Sequence, residues 1–249
     1  VEMTNANRPV KARNVIATLK GKTKEKIGIG GHLDSWDLAT GAIDNGIGSF
    51  AVLDIARAFR ALNLKPRRTI EFVQFMGEEQ GLLGSKAYVR EAVKAGSLDQ
   101  IRYMINLDMT NNPKGFNASG RSELVPLLTQ IGERIKGLDP AFASVIGNQA
   151  GLHSDHQPFM LEGIPTLSPT GGLAPHVLGC YHANCDRFDL VDRAGLQNTV
   201  RFTAMLLYAL ADAPDLPTQR LPSGQTRDFL VRQGLKEQLV LGREWKWGE

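Results

Sequence analysis

A chain of 249 residues, 42% hydrophobic and 22% charged, has the material for one large domain with a sizeable core, and this composition excludes a disordered chain. A net charge of +3, with no basic run interleaved with aromatics, leaves no footprint of nucleic-acid binding. No apolar stretch approaches the length of a membrane span, and no disulfide scaffold is needed to hold a core of this size.

Residues 1–13 are polar and lack an apolar signal core, as expected after removal of a targeting peptide or from a trimmed start. Residues 14–19 read as a strand ended by Lys20-Gly21-Lys22. Residues 26–31 read as a second strand, whose glycines imply close backbone approach. It runs into His32-Leu33-Asp34-Ser35-Trp36-Asp37 and then a Gly-rich loop over residues 40–48. Residues 49–62 place Val52, Ile55, Ala56 and Phe59 on one stripe of a helix. Pro66-Arg67-Arg68 separates that helix from an apolar run, residues 69–76, with the pattern of a buried strand.

Gly77-Glu78-Glu79 follows that strand. In a continuing strand the two glutamates would point to opposite faces. Beside Gly77 the backbone can bend, so that both carboxylates face one point. Held that close they repel, and one pKa rises unless a cation sits between them.

Residues 84–95 read as a helix, and residues 101–107 as a strand ending at Asp108. A short strand is expected at 116–118, then a helix over 122–136 with Ser122 as its cap. Short strands at 144–146 and 164–167 flank a helix opened by Ser154-Asp155-His156 and reaching Glu162. A loop rich in Gly, Pro and His covers 171–186, and an apolar helix covers 194–211. Residues 212–217 break the pattern like a linker. Residues 226–240 predict a terminal amphipathic helix with Phe229, Leu230, Leu235 and Leu239 among its apolar residues, and Trp245 and Trp247 are expected to dock on the body or on another subunit. The whole chain, 1–249, reads as a single catalytic domain in which 212–249 form a linker and helical tail.

Strands alternating with helices predict an α/β fold: a three-layer α/β/α domain around a central mixed, largely parallel sheet. Ligands of such sheets bind beyond the carboxyl ends of the strands. His32, Glu78-Glu79 and Asp108 each stand just after a strand, so three strands deliver ionisable groups to one edge. Borderline divalent ions such as zinc accept His nitrogen and carboxylate oxygen. A two-metal hydrolytic site needs a bridging carboxylate, terminal ligands for each ion and a base for the bridging water. His32 and Asp108 could hold one ion, Glu79 and a later His the other, and Asp44 could bridge them. Glu78 would then be free to take the proton. Neither an H-E-x-x-H helix nor a G-x-S-x-G elbow is present.

Gly30-Gly31-His32-Leu33-Asp34-Ser35-Trp36, Gly41-Ala42-Ile43-Asp44-Asn45-Gly46, Gly77-Glu78-Glu79-Gln80-Gly81-Leu82-Leu83-Gly84-Ser85, Asn106-Leu107-Asp108-Met109 and Cys180-Tyr181-His182 occur in this order. Together, over residues 14–211, they resemble the M28 family of cocatalytic zinc peptidases, which includes secreted bacterial aminopeptidases and the carboxypeptidase Q group. The resemblance implies two Zn2+ per chain held by His32, Asp44, Glu79, Asp108 and His182, with Asp44 bridging. It also implies Glu78 as the general base, acting on the water between the ions, and Tyr181 as a residue that polarises the scissile carbonyl. Asp34 would orient the His32 ring, as outer carboxylates do for metal-binding histidines. A cis peptide is implied after Asp44. Ile47 departs from the family's frequent Ser, and His153 stands where some relatives carry Arg.

His153, His156 and His176 otherwise read as surface or hydrogen-bonding histidines, Asp37 as a turn residue and Trp36 as packing. Cys180 and Cys185 could be thiolate ligands, free buried thiols or a disulfide; the resemblance implies the disulfide, and with it a secreted or periplasmic location. The implied function is a two-zinc exopeptidase acting on peptides or dipeptides. An aminopeptidase is favoured because Glu78 and Asp108 could both face a free ammonium. A carboxypeptidase or dipeptidase of the carboxypeptidase Q type and a one-zinc glutaminyl cyclase are the alternatives, followed by a metal-free binding module, against which the intact ligand set argues. The tail could also mediate a homo-oligomer.

Overall fold

The computed structural model describes residues 2–4, 6 and 8–248; positions 1, 5, 7 and 249 of the expected single domain lie outside the described residues. The apolar runs become strands β1 (Val15–Leu19), β2 (Lys26–His32), β3 (Thr69–Phe75), β4 (Ile101–Asn106), β5 (Gly115–Asn117), β6 (Val145–Gly147) and β7 (Thr166–Thr170). They form one sheet in the order β1-β3-β2-β4-β7-β5-β6. Its centre, β3-β2-β4-β7, is parallel, while β1 and β5 run antiparallel to β3 and β7 and β6 runs parallel to β5. This is the mixed, largely parallel sheet that the alternation of strand and helix patterns predicts.

Helices α1 (Ile47–Ala61), α2 (Leu83–Lys94), α3 (Val125–Leu138), α4 (Gln157–Leu161), α5 (Pro175–Leu178), α6 (Arg193–Asp212), α7 (Ser223–Arg232) and α8 (Lys236–Leu241) complete the fold. The period-two rule sorts the strand residues between two cores. Ile27, Ile29, Ile70, Phe72, Tyr103 and Ile105 pack with α1, α3 and α6. Val73, Phe75 and Met104 face the other way, onto Val89 of α2 and Phe159 of α4. Each such side chain contributes about 1.5–3 kcal/mol on burial. On that second face β2 carries glycine because nothing larger fits: a Cβ on Gly30 would stand 2.6 Å from the Phe75 ring. The strand glycines thus mark close approach, as the sequence implies.

Two expectations change. Residues 122–124 form a short 3-10 turn and α3 starts at Val125, so Ser122 makes no side-chain cap. The single helix expected over 226–240 is two helices, because Gly234 takes a left-handed φ of 72° and ends the first. The residues joining α6 to α7 are tied down. Arg68 and Arg102 donate to the carbonyls of Ala213 and Thr218, and Thr218 bonds the buried Tyr103 hydroxyl. Trp245 and Trp247 dock on the body, against a cluster containing Ala150, Met160, Phe229, Leu230 and Leu239.

Candidate metal centre

Three parallel strands end at one edge of the sheet. His32 closes β2, the Glu78-Glu79 turn follows β3, and Asp108 follows β4. Asp44 reaches the same point from a tight turn, Ala42–Gly46, that leads into α1. Gly41 opens this turn with a left-handed φ of 62°, which glycine adopts without steric cost. Ser35 Oγ donates to the Asp44 carbonyl at 2.6 Å. The peptide bond between Asp44 and Asn45 is cis. The Asn45 amide then ties the turn to the end of β4, donating to the Leu107 carbonyl and accepting from the Met109 N–H.

The Asp44 carboxylate stands between two histidines. Its Oδ1 lies 3.2 Å from His32 Nε2, and its Oδ2 lies 3.2 Å from His182 Nε2. Asp108 Oδ1 stands 3.5 Å from the first nitrogen, and Glu79 Oε2 3.2 Å from the second. The result is two nitrogen–oxygen triads, His32/Asp44/Asp108 and His182/Asp44/Glu79, sharing one carboxylate. His32, Asp44 and Glu79 also offer ligand atoms within 4.8 Å of one another, so the triads adjoin.

The ring of His32 is held from behind. Its Nδ1 lies 2.9 Å from the Asp34 carbonyl oxygen, to which it donates in the tautomer that leaves Nε2 facing the carboxylates. The carboxylate of Asp34, implied by resemblance to orient this ring, is 3.9 Å from Nδ1 and is engaged elsewhere. Its two oxygens accept the N–H groups of Gly77, Glu78 and Glu79. Those bonds bend the chain after β3 and bring both glutamates to the same side.

A nitrogen lone pair facing two carboxylate oxygens is unfavourable unless a cation lies between them. Burial opposes a charge on His32, yet its bonds to Asp108 and Asp44 push it up to about 12, so the pocket demands positive charge at that point. Glu79 Oε1 is buried without a hydrogen-bond partner. Calcium favours oxygen-only shells, whereas mixed imidazole and carboxylate donors suit zinc. The residues present therefore fit zinc.

Glu78 makes no such contact with either histidine. Burial, reinforced by Asp108, Asp155 and Glu79, raises its carboxyl to about 8 even though His32 opposes the shift. Tyr181 stacks on the His182 ring, 3.7 Å between centroids. Burial and the carboxylates Asp44 and Glu79 raise its hydroxyl above the ordinary tyrosine value, so it keeps its proton at neutral pH. Cys180 and Cys185 form a disulfide, with Cα atoms 5.3 Å apart, that brackets both residues.

Several contributing residues escape a sequence reading. Asp186 accepts from the Ile43 and Asp44 N–H groups at 2.7 and 2.9 Å and so fixes the turn that carries Asp44. Ser154 donates to Asp108 Oδ2 at 2.5 Å while accepting from Asn106. Ser49 donates to the His32 carbonyl. Trp36, read as packing, donates from Nε1 to Glu79 Oε2 at 2.7 Å. His156 bonds the Gly151 carbonyl, the hydrogen-bonding role read for it. Trp36 ends the motif that starts at Gly30; the others sit in no motif that their own neighbours reveal, and the acceptor Asp186 comes closest, one residue past the second cysteine.

A cavity of about 560 Å³ opens from the triads. Glu78, Asp108, His153, Ser168 and Tyr181 line it, and no Lys or Arg is among its lining residues.

The model of peptidase family M28 matches residues 14–207. Carboxypeptidase Q of Xenopus laevis is 25% identical over 82% of this chain and 42% of its own length. A peptidase M28 precursor from Shewanella amazonensis superposes with a TM-score of 0.74 at 27% identity, over 84% of this chain and 47% of the other. A zinc aminopeptidase from Bacillus subtilis superposes with a TM-score of 0.66 at 25% identity, over 84% and 52%. The chain thus spans less than half the length of the carboxypeptidase Q that it matches.

Proposed function

The chain belongs to peptidase family M28, and from that premise we propose a two-zinc exopeptidase that removes the N-terminal residue of a peptide or dipeptide. One observation carries the reading: each oxygen of Asp44 faces a different histidine, and each histidine faces a further carboxylate. His32 and Asp108 would hold one ion, His182 and Glu79 the other, and Asp44 both. When bound, zinc supplies Lewis acidity to the scissile carbonyl and to the attacking water.

The chain's own residues do the rest. Glu78, whose carboxyl burial raises, takes the proton of the attacking water in its ionised form, which bound cations would favour, and returns it to the leaving amine. Tyr181, which keeps its proton, donates to the carbonyl oxygen as charge develops there. Glu78 and Asp108 face the substrate ammonium. Because no Lys or Arg lines the cavity, nothing of fixed positive charge is offered to a C-terminal carboxylate. Residues 1–249 act as one catalytic domain with 212–249 as its tail, and the Cys180–Cys185 disulfide supports a secreted or periplasmic protein.

A carboxypeptidase or dipeptidase is the second reading, favoured by the similarity to carboxypeptidase Q. A panel of free, N-acetylated and C-amidated dipeptides, with zinc counted per chain, separates them. The aminopeptidase reading expects two zinc ions, turnover of free and C-amidated substrates, and none of N-acetylated ones. Undiminished cleavage of N-acetylated dipeptides transfers the assignment to the carboxypeptidase, and a single zinc per chain points to a cyclase.

A further inference from the structure

The family match ends at residue 207, but the chain continues into a tail that packs beside the cavity. We propose that Glu244, on this tail, is a positioning residue for the substrate pocket: through Gln157 it fixes the pocket wall formed by residues 149–156. The inference rests on reading the cavity as the peptide site.

The connection is continuous. Glu244 follows α8, and its own N–H bonds the Leu239 carbonyl at 2.7 Å, so its carboxylate stands on fixed backbone. Oε1 pairs with Lys86 of α2 at 3.0 Å. Oε2 accepts from Gln157 Nε2 at 2.9 Å, and Gln157, which is buried, uses its Oε1 to accept the His153 N–H at 2.8 Å. The two ends of the amide are thereby assigned: with Nε2 committed to a carboxylate, Oε1 must face His153. A hydrogen bond to a charged acceptor is stronger than a neutral one, so Glu244 sets the orientation of the amide.

His153 needs that support. Its φ of 68° lies in the left-handed region, which is sparsely populated by residues other than glycine. Ala150 and Leu152 of the same wall rest on the apolar cluster that contains Leu239, Trp245 and Trp247. Gln149, Gly151 and His153 all line the cavity. On its other side Glu244 grips α2, the helix that follows directly on the Glu78-Glu79 turn. One side chain outside the family's span therefore ties the wall of the pocket to the element behind its general base. Ser154 keeps its own anchor on Asn106 and Asp108, independent of the tail. The tail should therefore govern substrate fit, with zinc binding untouched.

The test uses the zinc-loaded chain of 249 residues and the substitutions Glu244→Ala, Glu244→Gln and Lys86→Met. Hydrogen–deuterium exchange over residues 149–157 and steady-state kinetics on a free dipeptide are measured, together with zinc content. In Glu244→Ala, exchange at His153 and KM should each rise about 10-fold, the scale of one lost charge-assisted hydrogen bond, with kcat and zinc content unchanged. Glu244→Gln, whose amide oxygen still accepts from Gln157, should restore most of both. Lys86→Met, which leaves the Gln157 bond in place, should leave exchange at His153 unchanged. Unaltered exchange over 149–157 in Glu244→Ala would overturn the proposal, as would a parallel loss of kcat and zinc. If the unsubstituted chain cleaves no dipeptide, the peptidase reading falls, and exchange at His153 still decides whether Glu244 holds the wall.

Discussion

The two histidines of the site stand on different kinds of support. His32 ends a central parallel strand and is 1% exposed; its ring is bonded to the Asp34 carbonyl and its own carbonyl to Ser49. His182 sits in a loop, at a left-handed φ of 53° with its side chain 33% exposed, beneath the ring of Tyr181 and beside a disulfide. One half of the site is a product of the sheet. The other is assembled when a loop 150 residues downstream is brought over it. A carboxylate shared between them, Asp44, lies against both. Outer contacts that fix ligands usually matter nearly as much as the ligands, and the His32 ring has one in the Asp34 carbonyl.

The largest expected effect leaves both halves standing. Glu78→Gln should retain both zinc ions and lose activity by about 10²–10⁴-fold, the range of general acid–base catalysis. Full turnover by the loaded variant would remove Glu78 from the mechanism. Asp44→Ala erases the difference between the halves: zinc affinity should fall at both, by more than the ~10–100-fold of an outer-partner loss. Tight binding of two ions in that variant, by equilibrium dialysis, would end the bridging role.

Asp34→Ala sharpens the comparison. The carbonyl that holds His32 survives this substitution, and the carboxylate that holds the N–H groups of residues 77–79 does not. The zinc bound through Glu79 should weaken by about 10–100-fold and the one bound through His32 by less. The reverse order would return Asp34 to the role that the resemblance implies.

Acidity gives a test without substitution. Burial raises Glu78 to about 8 and Asp155 to about 7, both above their ordinary carboxylate values. At these two groups the folded chain therefore holds more protons than the unfolded one between about pH 4.5 and 8. Their contribution to stability is present below the unfolded values and is lost as pH rises through 7 to 8. Chelator-treated protein should melt at progressively lower temperature from pH 5 to pH 8, and zinc should flatten the trend; a rising Tm would contradict it. The smallest effect is expected from Cys180→Ser with Cys185→Ser. The loop they close is short, so global stability should change little, while zinc at the His182 half should exchange faster than at the His32 half. Equal exchange at both would show that the clip plays no part in holding His182.

What the sequence reveals follows from distance along the chain. His32, the Glu78-Glu79 pair and Asp108 are legible because each ends a strand, and strand ends can be read from a few neighbouring residues. The sheet's parallel centre follows from the alternation of strand and helix patterns. Asp34 illustrates the limit: its place next to His32 suggests contact with that ring, but nothing local reveals that its carboxylate also accepts from a turn 43 residues away. Trp36 and Ser154 likewise act on residues of other segments, and no local pattern encodes such pairings. The split of the terminal helix was visible only as one glycine, Gly234, whose left-handed φ the apolar stripe conceals.

The bond from Asp186 to the turn that carries Asp44 spans 142 residues of chain. Contacts so distant in sequence close after local ones, because the entropy of the intervening loop must first be overcome. During synthesis, β1 to β4 and the residues His32, Glu79 and Asp108 emerge well before Asp186 does. A nascent chain at that stage has a sheet edge studded with carboxylates, but the turn carrying Asp44 still lacks its Asp186 anchor. On the proposed ligand set, completion of the site is thus a late event in the life of this polypeptide, waiting on His182 and on the Asp186 that fixes the turn carrying Asp44.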